Sequence, residues 1–243
     1  MNPTTYRINK YLSLCGVTSR RGADTLISEK RVTVNDITVE EVGISIDPTK
    51  DVVKVDGNVV EIVEQKVYIL FNKPSNVMTT LNDPFKRKTV LHFLKKLPMR
   101  VYPVGRLDYD TEGVLLLTND GDMAYKLTHP KYQIEKIYDV LVSGNFTEAN
   151  AQTIAKGLTL EDGAIGKGIV KIVKRIKNNT NILMTLKEGR KREVKQLCMA
   201  VGHKVLKLQR IEFAGITTHG LKLGEWRYLK SSEIELLKKK LSD

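Results

Sequence analysis

The segment 104–113 places an aspartate in a polar loop that leads directly into an apolar run. It reads Val-Gly-Arg-Leu-Asp-Tyr-Asp-Thr-Glu-Gly, with a glycine on each side of Asp108. A loop between the turn at Pro103 and a buried strand can hold a carboxylate rigidly and still leave it accessible. Arg106 offers a cation for a phosphate or for that carboxylate. The same spacing also fits a structural turn closed by an Arg–Asp pair.

A second candidate is Tyr138, which ends the segment 135–138 and alternates with apolar residues. The alternation predicts a strand over residues 137–142. An aromatic ring on such a strand is either part of the core or a flat surface on which a displaced base can stack. The spacing alone leaves both interpretations open.

The third candidate is the basic segment 188–195. Its four cations are Arg190, Lys191, Arg192 and Lys195. They are predicted to lie at the start of a helix that begins near residue 191 and ends at Gly202. Cations there oppose the helix dipole, a mismatch that proteins accept most readily where a phosphate or substrate occupies the helix N-terminus. A solvated charge run is the alternative interpretation.

The charge distribution adds a hint about the partner. The net charge of the 243 residues is +12, and residues 166–243 supply all of it, with nineteen lysines and arginines against seven acidic residues. A concentrated basic field favours a polyanion, such as nucleic acid or an anionic membrane surface. A soluble protein that is merely rich in lysine would show the same excess.

Several classes of protein are disfavoured. No apolar run approaches the roughly 20 residues that a membrane span needs, and residues 1–7 lack the apolar region of a signal peptide. The expected location is the cytoplasm, without membrane association. Cys15 and Cys198 lie on apolar positions of predicted helices, which indicates buried thiols. No metal-ligand spacing and no nucleotide or flavin motif is present, so neither a metal nor a cofactor is predicted.

The first sixty residues predict a small module of two helices and short strands. Thr18 or Ser19 can cap the second helix, with Arg20 and Arg21 displayed at its start. The pair Asp56-Gly57 predicts a tight hairpin turn. The module is predicted to span residues 5–62 and to be followed by a linker over residues 63–66.

From residue 67 onward, strands and helices follow each other without a regular βαβ alternation, which predicts an α+β fold. The last helix is predicted to open with a capping box from Ser232 to Glu235. The predicted strands cover residues 67–71, 114–117, 137–142, 169–173 and 182–186. The other predicted helices cover residues 90–96, 147–156 and 191–202.

Taken together, these segments resemble the pseudouridine synthases of the RsuA/RluB/RluE/RluF family. The segment 105–121, with its Gly-Arg-Leu-Asp and the run Leu-Leu-Leu-Thr-Asn-Asp-Gly, is similar to the signature loop of that family. The resemblance continues through residues 127–130, 135–138 and 188–195. Residues 6–60 resemble the S4 RNA-binding (αL) domain, although Lys30 and Asp36 stand where glycines are usual, so its turns are expected to differ.

The resemblance implies an isomerase that converts one uridine of ribosomal RNA to pseudouridine without a cofactor. Asp108 matches the essential aspartate, which has been assigned either to attack or to proton abstraction from the sugar. Tyr138 matches the tyrosine that stacks on the target base, and Lys195 matches the basic residue that pairs with the aspartate. Arg106 matches the arginine associated with displacing the target nucleotide.

The implied architecture is an S4-like domain (residues 5–62), a linker, and a catalytic domain (residues 67–243) with a central, mainly antiparallel sheet. Because the sequence is most similar to the B-type large-subunit enzymes, we expect large-subunit ribosomal RNA as substrate, with the small subunit as the nearest rival. A monomer is expected. The predicted RNA contacts beyond Arg106 are Arg20, Arg21, Arg190 and Arg192. A non-catalytic RNA-binding or ribosome-assembly factor and a DNA-binding regulator are the alternatives from other classes.

Overall fold

The computed structural model describes residues 5–81, 83–94 and 97–242, and these form two compact units. The described residues up to Lys66, together with Pro98–Arg100, make up the first unit, and the remaining residues make up the second. Within these ranges no helix has the length and apolar character that crossing a membrane requires. The end of the helix predicted over residues 90–96 lies outside the described residues.

The N-terminal unit packs two helices against short antiparallel strands. Ser19 caps the second helix by accepting a hydrogen bond from the Gly22 amide at 3.0 Å. Its elements are β1 (Tyr6–Arg7), α1 (Ile8–Leu14), α2 (Arg20–Ser28), β2 (Val32–Val34), β3 (Ile37–Thr38), β4 (Ser45–Ile46), β5 (Val53–Val55) and β6 (Asn58–Val59). The larger of its two sheets has the order β3-β2-β5-β6.

Two turns of this unit use side-chain-bearing residues in a backbone conformation that glycine adopts most readily. Lys30 has a φ of 58° and Asp36 a φ of 65°. Both values lie in the left-handed region, which disfavours residues with a Cβ atom. Both positions therefore have left-handed geometry although neither residue is glycine.

The second unit is built around one large sheet. The strands of the second unit are β7 (Tyr68–Lys73), β8 (Tyr102–Pro103), β9 (Glu112–Thr118), β10 (Lys136–Ser143), β11 (Leu158–Thr159), β12 (Ile165–Gly166), β13 (Ile169–Ile176), β14 (Asn179–Leu186), β15 (Val205–Phe213), β16 (Ile216–Thr217) and β17 (Trp226–Tyr228), of which β11 and β12 form a separate pair. Its α-helices are α3 (Gly121–Thr128), α4 (Glu148–Lys156), α5 (Glu193–Ala200) and α6 (Ser231–Lys240), and short 3-10 turns cover Val90–Phe93 and Pro130–Tyr132.

The large sheet consists of two antiparallel halves. Its order is β13-β14-β10-β15-β9-β7-β17, with β16 added to β15 and β8 added to β9. The halves meet where β15 runs parallel to β9, through the pairs Gln209–Glu112 and Arg210–Gly113. The other strand pairs described in this sheet are antiparallel. The prediction of an α+β fold with a central, mainly antiparallel sheet is confirmed.

Several local predictions differ from the structure. The strand predicted to stop at residue 71 continues to Lys73, whose side chain is buried. The helix predicted from about residue 191 begins at Glu193, because Arg192 adopts a left-handed φ of 53°. The last helix begins at Ser231, and the Glu233 carboxylate accepts a hydrogen bond from the Lys230 amide at 2.8 Å in place of the capping box predicted from Ser232 to Glu235. Helix α3 and strand β15 had no predicted counterpart.

Candidate active site

Asp108 lies in the loop that enters β9, and a lysine from α5 reaches its carboxylate. The Lys195 ammonium is 3.4 Å from Oδ2 of Asp108 and 2.5 Å from Oδ1 of Asp110. The Lys195 side chain is 15% exposed and that of Asp108 is 35% exposed. The structure thus brings together Asp108 and Lys195, which are 87 residues apart in the sequence. One cation serves two carboxylates, a feature that the sequence did not indicate.

Asp110 takes the shorter of the two ion pairs. Partial burial tends to raise the pKa of its carboxyl, but the hydrogen bond and charge of Lys195 outweigh burial and lower that pKa below its ordinary value. Asp110 is therefore ionised at neutral pH and competes with Asp108 for the same ammonium group.

The loop is held from behind by the side chain of Lys73, at the end of β7. Its three N–H donors are shared among four carbonyl oxygens within hydrogen-bond distance, those of Thr111 (2.8 Å), Pro74 (3.1 Å), Asp108 (3.1 Å) and Tyr109 (3.4 Å). The residue is 0% exposed. Burial lowers its pKa to about 8, against the opposing effect of nearby carboxylates. Lys73 thus fixes the main chain of the loop without contacting the side chain of Asp108.

At the other end of the loop, Gly113 allows an unusually close approach of two strands. A Cβ atom on Gly113 would lie 2.1 Å from the carbonyl oxygen of Arg210, and its φ of 106° also disfavours other residues. Only a glycine lets β15 pair with β9 at this point. The Nε atom of Arg210 in turn donates to the carbonyl oxygen of Val114 at 2.8 Å. We call Lys73, Gly113 and Arg210 the loop base.

Arg210 also connects the loop base to Tyr138. The two residues face each other across β15 and β10. Burial lowers the pKa of the Arg210 guanidinium, while Tyr138 acts in the opposite direction. Among the described residues, Nη2 of Arg210 is buried and has no hydrogen-bond partner. A buried cation therefore lies beside Tyr138 as well as at the base of the loop.

A cleft opens between the Asp108 loop and the strand that carries Tyr138. Tyr138 is 8% exposed, so it belongs to the core and lines the cleft at the same time. The residues that line the cleft are Val104, Gly105, Arg106, Leu107, Asp108, Thr111, Thr128, Lys136, Tyr138, Leu186, Gly189, Arg190, Arg192, Glu193, Val194, Leu208, Arg210 and Phe213. The cleft combines an apolar wall with a carboxylate and several cations.

The entrance to the cleft is basic, but acidic residues hold one of the two arginines predicted there. Arg190 is held by Glu188 at 2.9 Å and by Asp162 at 3.5 Å, whereas Arg192 is exposed. The first turn of α5 carries Glu193, whose carboxylate accepts a hydrogen bond from the Arg190 amide. Glu193 offsets part of the expected mismatch with the helix dipole, but Lys195 also lies in the first turn of α5 and three cations directly precede the helix. We call Arg106, Asp110, Arg192 and Lys195 the cleft mouth.

The inner wall of the cleft contains two buried ionisable groups, Lys136 and Glu193. The Lys136 ammonium donates to the carbonyl oxygen of Ile134 at 2.7 Å, and burial lowers its pKa to about 8. Glu193 is 4% exposed, and burial raises the pKa of its carboxyl. These shifts reflect the low polarity of the wall.

The predicted site residues fall into two groups. Those that lie around the cleft are Arg106, Asp108, Tyr138, Arg190, Arg192 and Lys195. Arg20 and Arg21 are exposed on the first turn of α2, in the N-terminal unit. Sequence reasoning did not find Lys73, Asp110, Lys136 or Arg210. No cluster of three or more potential metal ligands occurs in residues 5–81, 83–94 and 97–242.

Three comparisons with known proteins agree. The sequence profile described as RNA pseudouridylate synthase matches residues 67–200. An RNA pseudouridine synthase of Aquifex aeolicus is 44% identical over 232 residues, which cover 95% of this chain and 93% of the relative. The ribosomal large subunit pseudouridine synthase B of Bacillus subtilis is 41% identical over 234 residues, which cover 96% of this chain and 95% of the relative.

The fold has a counterpart among solved structures. A crystal structure of a pseudouridylate synthase superposes with a TM-score of 0.69 at 28% sequence identity, covering 95% of this chain and 99% of that chain. The similarity in sequence and in fold thus extends over nearly the full length of each protein compared.

Proposed function

Because the chain belongs to the RluB-like family of RNA pseudouridine synthases, and so is an isomerase acting on RNA, we propose that Asp108 is its catalytic residue. This proposal rests on the position of the Asp108 carboxylate, which is 35% exposed in the cleft and lies 3.4 Å from the Lys195 ammonium. Lys73 holds the loop main chain, so this carboxylate is positioned before RNA arrives.

The reaction needs a carboxylate beside the ribose of the target uridine. The bond between N1 and C1′ breaks, the uracil turns, and C5 bonds to C1′ while the hydrogen on C5 leaves and N1 gains a proton. Asp108 acts either by attack on the sugar or by removal of a proton from it. Lys195 offsets the negative charge of Asp108 among the RNA phosphates. We assign Lys195 to this pairing.

Tyr138 is proposed to stack on the displaced uracil. The uridine must leave its base stack and enter the cleft before the Asp108 carboxylate can reach its C1′ atom. A flat aromatic ring compensates for part of the stacking energy that is lost. Tyr138 lines the cleft together with Asp108, and the buried Arg210 is its partner across β10 and β15. Arg106, exposed on the loop two residues before Asp108, is proposed to assist displacement of the nucleotide, with Arg190 and Arg192 contacting phosphates at the cleft entrance.

The proposed substrate is large-subunit ribosomal RNA, and the proposed location is the cytoplasm. The name of the Bacillus subtilis relative, together with its 41% identity over nearly the whole chain, supports the large subunit over the small one. The N-terminal unit is proposed to be an S4-type RNA-binding domain that acts in a monomer, with Arg20 and Arg21 on RNA phosphates. Replacing both arginines with alanine should weaken RNA binding several-fold in a filter assay, and unchanged affinity would reject this role.

The central test is release of tritium from ribosomal RNA labelled at C5 of uracil. Wild type should release tritium from the large-subunit transcript, and Asp108→Asn should lose turnover by roughly four orders of magnitude or more while keeping its RNA affinity. Equal rates for the two proteins would refute the role of Asp108. Release from the small-subunit transcript alone would refute the proposed substrate and leave the chemistry intact.

A further inference from the structure

The loop that follows β7 is bonded at its root to the catalytic loop. The Thr79 hydroxyl donates to the carbonyl oxygen of Leu107 at 2.7 Å and accepts from the Leu107 amide at 3.2 Å. The Val77 amide donates to the carbonyl oxygen of Tyr109 at 3.3 Å. The two loops are therefore joined immediately on both sides of Asp108, at the root of the first loop.

The tip of this loop is organised by the carboxylate of Asp83, whose side chain is 4% exposed. It accepts hydrogen bonds from the amides of Phe85 at 3.1 Å and Arg87 at 3.0 Å. The Arg87 guanidinium binds the same carboxylate at 2.7 Å and 3.1 Å. Lys86 between them adopts a left-handed φ of 54°. These bonds define one tight turn and fix the guanidinium plane.

The turn exposes a phenylalanine. The Phe85 side chain is 76% exposed, which is the largest value for a large hydrophobic residue in the described part of the chain. The central carbon of the Arg87 guanidinium lies 5.1 Å from the centre of the Phe85 ring. The ring therefore carries a cation on one face and leaves much of its surface to the solvent. It contributes nothing to the core that would account for a phenylalanine here.

The surroundings of Phe85 identify the partner. Residues 86–88 are Lys-Arg-Lys, and the one acidic residue of the described turn, Asp83, is already bound to Arg87. Tyr109, 44% exposed and adjacent to Asp108, lies close enough to Arg87 to contribute, after Asp83, to the raised pKa of that guanidinium. Flat groups and cations thus occur together on the loop that is bonded to both sides of Asp108. Such a surface fits unpaired nucleotides better than a protein or a lipid.

We propose that Phe85, backed by Arg87, is a stacking platform for a second unpaired base of the RNA, separate from the base that enters the cleft. Stacking on an aromatic face tolerates any base, and the neighbouring cations neutralise the adjoining phosphates. The platform would hold the RNA strand next to the target uridine. It deepens the proposed function, since it assumes that RNA is turned over at Asp108.

The test compares variants that separate the flat ring from its apolar bulk. Phe85→Ala and Phe85→Leu should each raise the half-saturating RNA concentration in single-turnover tritium release about tenfold and leave the rate at saturation within twofold. Phe85→Tyr should behave like wild type. Tyr228→Ala, which removes another half-exposed ring from the edge strand β17, is the matched control and should have no effect.

A direct readout comes from Phe85→Trp, since the chain contains a single other tryptophan, Trp226. Titration with RNA should quench fluorescence in this variant beyond the wild-type change, because the new indole stacks on a base. The substrate is whichever ribosomal RNA transcript, large- or small-subunit, wild type turns over. Unchanged half-saturation in Phe85→Ala, or equal effects of Tyr228→Ala, would overturn the platform. Absence of turnover by wild type on both transcripts would instead count against the proposed function.

Discussion

The loop base and the cleft mouth hold the same aspartate by different physical means. At the base, Lys73 and Arg210 are at most 2% exposed and bind main-chain carbonyl oxygens, and Gly113 admits a strand at close range. At the mouth, Lys195 and Asp110 interact through side-chain charges, with Asp110 61% exposed. Salt screens exposed charges but hardly affects buried hydrogen bonds. The geometry of catalysis and the affinity for RNA should therefore respond to different mutations and to different solution conditions.

The largest effect of a change at the base is expected for Gly113→Ala. The added methyl group meets the Arg210 carbonyl oxygen, so β9 and β15 must separate at their parallel junction. We expect a loss of about 3 kcal/mol in the free energy of unfolding, measured with urea, together with loss of turnover. Gly163→Ala is the control: it has a similar positive φ but open space around it, so it should cost only about 1 kcal/mol. Equal losses in the two variants would show that the close approach is unimportant.

The next effect in size is expected for Lys73→Met, which keeps an unbranched side chain of similar length. The variant leaves several buried carbonyl oxygens without their donor, so the loop should lose its fixed geometry. We expect turnover to fall roughly 100-fold at all salt concentrations while RNA affinity stays within threefold. Lys156→Met, on the exposed end of α4, should change neither quantity. If Lys73→Met instead weakened RNA binding at low salt but not at high salt, Lys73 would act through its charge, as the residues of the cleft mouth do.

Lys73 also predicts opposite pH trends for activity and stability. Its pKa is about 8 in the folded chain, against the ordinary lysine value of 10.5. Above pH 8 the folded protein loses this proton and the loop loses a charged donor, so turnover should decline. Between pH 8 and 10.5 the unfolded chain still binds the proton, so the contribution of this group to stability rises with pH. A pH series of single-turnover rates and urea midpoints tests both trends, and the alkaline decline should be smaller in Lys73→Met, where Lys136 is the remaining cleft lysine with a pKa of about 8.

At the mouth, Lys195→Ala should have a smaller and mixed effect. Asp108 loses the cation 3.4 Å away, and the entrance loses one positive charge. We expect turnover to fall by roughly 10- to 100-fold and RNA affinity by about threefold, with the affinity loss disappearing at high salt. Arg192→Ala, the smallest change, should reduce affinity alone. An Arg192 variant with a large defect at saturating RNA would remove the distinction between the two regions.

Local sequence patterns predicted elements whose signals are local. Ser19 was predicted as one of two possible caps of α2, and the alternation after residue 136 indicated β10. Helix α3 was missed although a local signal existed: the Asp120 carboxylate accepts from the amides of Asp122 and Met123, as a helix cap does. Elements with short-range signals are thus within reach of the sequence, and that omission was avoidable.

The loop base could not be predicted in this way. Lys73 looked like a residue of the turn that stops a strand, because its carbonyl partners lie up to 38 residues further along the chain. Strand β15 mixes charged with apolar residues, and its position beside β9 depends on Gly113, almost 100 residues earlier. Asp110 showed no partner until α5 was placed beside it. Such features depend on contacts that only the folded chain creates.

The hydrogen bonds from Lys73 to main-chain carbonyl oxygens have a consequence for protein engineering. A main-chain anchor does not discriminate among side chains, and Tyr109 and Asp110 project from the anchored segment into the solvent. A library randomised at Tyr109 should therefore retain the placement of Asp108 while varying what the RNA meets beside it, whereas changes at Asp110 should also free Lys195 to pair with Asp108 alone.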